Sequence, residues 1–287
     1  MRITETHPAT TPDPAPPASG GQLVTRHRLS TRLWHWTNAV TFVIMLMSGL
    51  MILNAHPRLY WGKYGANPDH AWLEIGATPA NTGYLRVGSV TVETTGLLGR
   101  WTDSNGQIRN RAIPSWATLP RSYDLARARR WHLTFAWVFA LGMAAYLLRS
   151  LINRHLRRDI WPTGHELRPA HIWHDIRQHA RLNFPKGTAA LHYNVLQKLS
   201  YLTVLVLLIP GMVLTGMTMS PALNAIFPWL LDLFGGRQSA RSLHFIFAGG
   251  LVLFVLVHLL MVVLAGPLNE IRSMITGRYR LPRETDR

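Results

Sequence analysis

The 287-residue chain contains no cysteine. That excludes disulfides, iron–sulfur clusters and any prosthetic group tethered through a C-x-x-C-H motif. Acidic residues are also scarce, 14 against 30 Lys and Arg, for a formal net charge of +16. The excess does not indicate nucleic acid, because no soluble basic-aromatic module accompanies it. It collects instead in loops and tails beside apolar runs, where anionic lipid headgroups attract Lys and Arg. Charge is missing altogether from four runs: Leu33 to Leu53, Trp131 to Leu148, Leu199 to Met219 and Leu243 to Leu264. Each is long enough to cross a hydrocarbon core about 30 Å thick.

Lys and Arg number four before the first run, nine from Arg149 to Lys198 and five after the fourth run, against two between Ser220 and Ser242. Short positive-rich loops stay in the cytoplasm, which predicts that both termini are inside. The segment from Asn54 to Arg130 holds ten Lys and Arg, but its 77 residues exceed the loop length to which the rule applies, about 60. The expected fold is therefore an all-α integral membrane protein, a four-transmembrane-helix bundle in the bacterial inner (cytoplasmic) membrane. A long periplasmic loop joins helices one and two. Residues 1–25 read as a disordered cytoplasmic tail rich in Pro, Ala and Thr, residues 26–280 as the membrane domain, and residues 281–287 as a second tail. The start lacks the apolar stretch of a secretion signal, so helix one is expected to direct insertion. Within the loop, Tyr84 to Thr95 alternates β-branched residues and Asp103 to Gly106 is a turn signal, which predicts a hairpin or a few short strands. Trp61, Trp72, Trp101 and Trp116 serve there as a miniature core, as interface anchors, or as a docking surface for a periplasmic protein. Ala222 to Phe234 is too short to span and is placed along the outer interface. Pro210 is expected to kink helix three.

Of 14 histidines only four lie in the apolar runs: His35, His132, His244 and His258. His244 and His258 are fourteen residues apart, close to four helical turns, which places both on one stripe about 21 Å apart. Polar groups in hydrocarbon are costly and usually functional. Two histidines from the fourth helix, one each from the first and second and none from the third make the set needed to hold two haem b groups noncovalently. Orientation fixes the pairing, because His35 shares a depth with His258, and His132 with His244. Arg32, Arg130 and Arg241 precede three of these histidines and could pair with haem propionates, or could simply snorkel at helix ends. Gly49, Gly142, Gly211, Gly216, Gly249 and Gly250 could give clearance to a macrocycle or serve close helix packing. His165, His171, His174 and His179 crowd a loop without any cysteine, and His56 lies just beyond helix one.

The stretch RLWHWTN (Arg32 to Asn38), the histidine opening helix two and the H-x13-H spacing of helix four resemble the di-haem cytochrome b subunits of formate dehydrogenases, nickel-iron hydrogenases and thiosulfate reductases. The resemblance covers about Arg26 to Tyr279. It implies His35 and His258 as ligands of a cytoplasmic-side haem, and His132 and His244 as ligands of a periplasmic-side haem. It further implies an electron-transfer subunit between the quinone pool and a periplasmic oxidoreductase. The stretch YNVLQK, with Asn194 and Gln197, is similar to a Y-N-x-G-Q-K motif beside the quinone site of the formate dehydrogenase branch. Leu196 stands where that pattern has glycine. The long outer loop more closely resembles cytochrome b proteins that accompany periplasmic molybdenum enzymes of the sulfite-oxidase type. The resemblance gives this chain no catalytic residue of its own. Two other readings stand beside this one: a stand-alone membrane oxidoreductase acting on a small diffusible donor, and a non-redox transporter.

Overall fold

The computed structural model describes residues 21–154, 160–181 and 194–280. The short strand β1 (Leu23–Thr25) leads into α1 (Leu29–Leu53), and α2 (Leu125–Ile152) is the second long helix. After α3 (Pro169–Ala180), the third span is a composite of α4 (Val195–Leu202), a π-helical stretch (Thr203–Leu208) and α5 (Ile209–Met219). Short helices α6 (Pro221–Ile226) and α7 (Trp229–Leu233) precede the fourth span, α8 (Arg237–Ala265), which is followed by α9 (Pro267–Thr276) and β8 (Arg278–Arg280). Four helices are thus long and apolar enough to cross a membrane. Leu141, Val206, Leu253 and Leu260 are each more than half exposed. Outward apolar side chains suit helices whose backbone groups are satisfied internally and whose solvent is lipid.

Local chemistry sets the helix limits. The Asp124 side chain caps α2 by accepting from the Arg127 backbone N–H at 2.8 Å. Asn194 and Gln197 form a reciprocal capping box at the start of α4, Gln197 N donating to Asn194 Oδ1 at 2.9 Å and Asn194 N to Gln197 Oε1 at 3.2 Å. Pro210 offers no N–H and would crowd the preceding turn. The helix answers with the π-helical stretch just before it, a widened turn in place of a break.

Packing divides the bundle into two helix pairs. Along α1 and α2, Trp34 lies against Gly142 so closely that a Cβ there would come within 2.2 Å of the indole. Along α5 and α8, Phe247 fills the same role at Gly211, where a Cβ would meet the ring at 2.5 Å. Gly250 packs against Leu208, and Gly249 faces open space. Most of these glycines therefore admit neighbouring side chains. Among the described residues α8 approaches neither α1 nor α2 as closely as it does α5, and a slot separates the pairs.

Apart from a 3-10 turn at Ser115–Ala117, the connection between α1 and α2 is built of strands, so the all-α description holds for the spans and not for this loop, where short strands were expected. Strands β2 (Arg58–Leu59), β3 (Leu73–Ala77), β4 (Gly83–Val87) and β5 (Val90–Glu93) form an antiparallel sheet in that order, and β6 (Arg100–Thr102) pairs with β7 (Ile108–Asn110). Leu53, Leu59, Leu73, Ile75, Ala112 and Ile113 make its core. Trp101 is buried there, its Nε1 donating to the Arg111 carbonyl at 3.0 Å, so it belongs to the core and not to a docking surface. Trp116 and Trp61 are exposed. Glu74, 3% exposed, accepts from Tyr84 Oη at 2.7 Å and pairs with Arg58 at 2.5 Å and with Arg86. Burial would raise the Glu74 pKa, but these partners hold it below the ordinary carboxylate value. The sheet sits on the first turns of α8. Gly62 N donates to Ser239 Oγ at 2.7 Å, Trp72 Nε1 to Ser242 Oγ at 2.9 Å, and Ser242 Oγ to the Tyr60 carbonyl at 2.6 Å.

At the opposite end β1 and β8 pair antiparallel, Val24 facing Tyr279. Arg26 bonds Glu270 at 3.0 Å and lies over the Tyr279 ring at 4.7 Å. The segments at both ends of the bundle domain are held together by this clasp.

Candidate functional site: two histidine pairs

The four histidines of the spans meet in two pairs across the slot. His35 of α1 faces His258 of α8, and His132 of α2 faces His244 of α8, each with ring centroids 6.3 Å apart and with ring planes inclined by 58° and 64°. The pairing is the one expected from helix orientation alone. An imidazole nitrogen binds a first-row metal at about 2.0–2.1 Å, and adding about 1.1 Å from nitrogen to ring centre on each side places two axial imidazoles a little over 6 Å apart. Both pairs have the spacing that one metal between them requires.

Surroundings differ between the pairs. At the loop end, His132 Nδ1 lies 3.1 Å from Ser48 Oγ and 3.1 Å from the Met45 carbonyl, and His244 Nδ1 lies 3.0 Å from Thr215 Oγ1. That leaves Nε2 as the nitrogen available to a metal. At the termini end, His35 Nδ1 is buried with no hydrogen-bond partner, and Phe254 stacks on His258 at 6.1 Å. A buried, unsatisfied imidazole nitrogen between the helix pairs fits a group held there.

The remaining expected site residues are placed as follows. Arg241 donates from Nη1 to the Arg58 carbonyl at 3.1 Å and from Nη2 to the His56 carbonyl, so it anchors the loop sheet to α8 three residues before His244. Arg32 donates to the Ile275 carbonyl, its Nε buried without a partner. Arg130 is exposed. Asn194 and Gln197 sit in the capping box, and Tyr193 of the same motif lies outside the described residues. His56 stacks on Tyr60 at 5.7 Å, and burial, then Arg241 and Arg58, lower its pKa. His165 and His171 approach to 5.5 Å, but among the described residues no group of three potential ligands forms there.

Ser48 and Thr215 went unnoticed at the level of sequence. The available signal was a repeated pentapeptide, M-x-x-[S/T]-G, at residues 45–49 and 212–216.

The model of the prokaryotic cytochrome b561 family matches residues 26–277, which include all four histidines and both pentapeptides. The chain belongs to this family. Among curated relatives of this cytochrome b561 chain is the putative protein-methionine-sulfoxide reductase subunit YedZ1 of Azospira oryzae, 27% identical over 249 residues, covering 86% of this chain and 93% of the relative. No solved structure matches. Membership in the cytochrome b561 family implies haem b and makes the chain a membrane electron-transfer protein.

Proposed function

We propose that this cytochrome b561 protein carries two haem b groups and joins the quinone pool to an oxidoreductase partner at the outer face of the bacterial inner membrane. The observation that carries the reading is the pair of imidazole pairs, both at 6.3 Å, on three helices of one bundle. His35 and His258 hold the inner haem, and His132 and His244 the outer one. Haem held by two histidines has no open axial position and exchanges single electrons. Substrate chemistry therefore belongs to a separate partner. The name of the relative from Azospira oryzae, a sulfoxide reductase subunit, supports a reductase in that place, and the likeness of the long outer loop to cytochrome b proteins that accompany periplasmic molybdenum enzymes suggests its type.

In this reading both termini are cytoplasmic and the 54–130 sheet is periplasmic. The sheet roofs the outer pair and offers exposed Trp61 and Trp116 to the partner. Arg32, whose Nε is buried without a partner, and the exposed Arg130 would receive propionates, and Arg241, which bonds two loop carbonyls, has further N–H donors for the same use. Asn194 and Gln197 open the third span at the inner face, where the Asn194 amide would donate to a quinone carbonyl and Gln197 would hold the cap that positions it.

The test is a pyridine haem assay with reduced-minus-oxidised spectra of the purified chain. About two b haems per chain are expected. His35→Ala and His258→Ala should remove one spectral component, and His132→Ala and His244→Ala the other. One haem per chain, or loss of a single shared component in His35→Ala and His132→Ala, overturns the proposal.

A further inference from the structure

Helix three supplies no histidine, and α1 supplies none to the outer pair, yet both helices reach that pair through the same five-residue pattern. Met45-Leu46-Met47-Ser48-Gly49 faces His132, and Met212-Val213-Leu214-Thr215-Gly216 faces His244. A hydroxyl has one proton to give. Ser48 Oγ gives its proton within α1, to the Ile44 carbonyl at 2.7 Å, and Thr215 Oγ1 gives its own within helix three, to the Gly211 carbonyl at 2.6 Å. Toward the rings both oxygens can therefore only accept. The Met45 carbonyl, also 3.1 Å from His132 Nδ1, can only accept as well. Both Nδ1 atoms must then be protonated donors, so in the neutral rings both Nε2 atoms carry the lone pair. The glycine that ends each pattern completes the fit. A Cβ at Gly49 would stand 3.3 Å from His132 Cε1, and one at Gly216 would stand 3.4 Å from His244 Cε1, so each ring edge rests on bare backbone. At the inner pair, by contrast, His35 Nδ1 has no partner.

We infer that the two M-x-x-[S/T]-G segments are imidazole sockets, and that Ser48 and Thr215 are positioning residues that fix the ligand tautomer of the outer haem and lower its midpoint potential. The inference rests on the two-haem reading above. A ligand imidazole that donates its other N–H becomes a stronger donor to iron, which favours the ferric state. Helix three thereby has a part in the redox site without contributing a ligand.

The experiment is a potentiometric titration of the purified chain, followed at both spectral components and by EPR of the ferric protein. Thr215→Val keeps the shape of the side chain and deletes the acceptor. It should shift the midpoint of the outer component upward and change its low-spin EPR signal, with the inner component unmoved. Ser48→Ala should shift it in the same direction but less, since the Met45 carbonyl remains. Thr215→Ser should restore the starting values. If Thr215→Val instead sheds the outer haem, as an affinity loss of about 10- to 100-fold would cause, Thr215→Ser must recover it, and failure to do so overturns the inference. Two retained haems with unchanged midpoint and EPR signal overturn it too, while leaving the function standing. Fewer than two haems in the unaltered chain would overturn the two-haem reading itself.

Discussion

Asn194 is asked to do two things with one side chain. Its carbonyl oxygen closes the capping box with Gln197, and its amide is the donor that a quinone would need. Substitutions can separate the two roles. Asn194→Asp keeps an acceptor at a helix start, where a negative charge is favourable, but removes the amide donor. Asn194→Leu removes both, and the lost cap costs about 1 kcal/mol of stability. Haem oxidation or reduction by quinone analogues should slow in both variants, and thermal stability should fall only in Asn194→Leu. Unchanged exchange in Asn194→Asp would move the quinone away from this residue. At this scale the sequence was legible where hydrocarbon made a polar residue expensive, which is why the four histidines stood out. It was illegible where a residue's role depended on what packed against it. Arg241 read as a propionate partner, and its bonds to the Arg58 and His56 carbonyls, which tie the loop to α8, had no local signal. Trp101 read as core, interface anchor or docking residue, and only packing shows it to be core.

Elements were legible in proportion to how much of their stability is local. The four uncharged runs became the four long helices, though α1, α2 and α8 extend beyond them because helix ends carrying Arg continue past the apolar limit. The alternation from Tyr84 and the Asp103–Gly106 turn became β4, β5 and the β6–β7 hairpin, with Asp103 Oδ1 accepting from Asn105 N and Gln107 N at 2.9 Å each. By contrast β2 is two residues long and exists only because β3 lies beside it, and the β1–β8 clasp joins residues more than 250 positions apart. No local pattern encodes either. The loop sheet also carries its own pH dependence. Glu74, with its pKa below the ordinary value of 4.5, stabilises the sheet fully above that value. This contribution is lost as pH falls through the lowered folded pKa. Acidification below about 4.5 should therefore open residues 54–124 to protease, and Glu74→Gln should open them at neutral pH and flatten the pH profile. A profile unchanged by Glu74→Gln would place the acid-sensitive group elsewhere.

For the whole molecule, the clasp requires the two ends of residues 23–280 to share one side, so a single orientation measurement serves for both. A reporter fused at the carboxyl terminus should be active in the cytoplasm and silent in the periplasm. The opposite result would turn the bundle over and put Asn194 at the outer face. The most consequential feature at this scale is the division of the paired histidines among the spans, with two on α8 and none on helix three. Because α8 follows α1 and α2 in the chain, neither histidine pair exists until α8 has been made and inserted. A nascent chain stopped before residue 244 has His35 and His132 without the histidines that face them. On the proposed ligand assignment, the order of translation makes haem capture wait for α8, so only a chain that has placed that helix can become coloured.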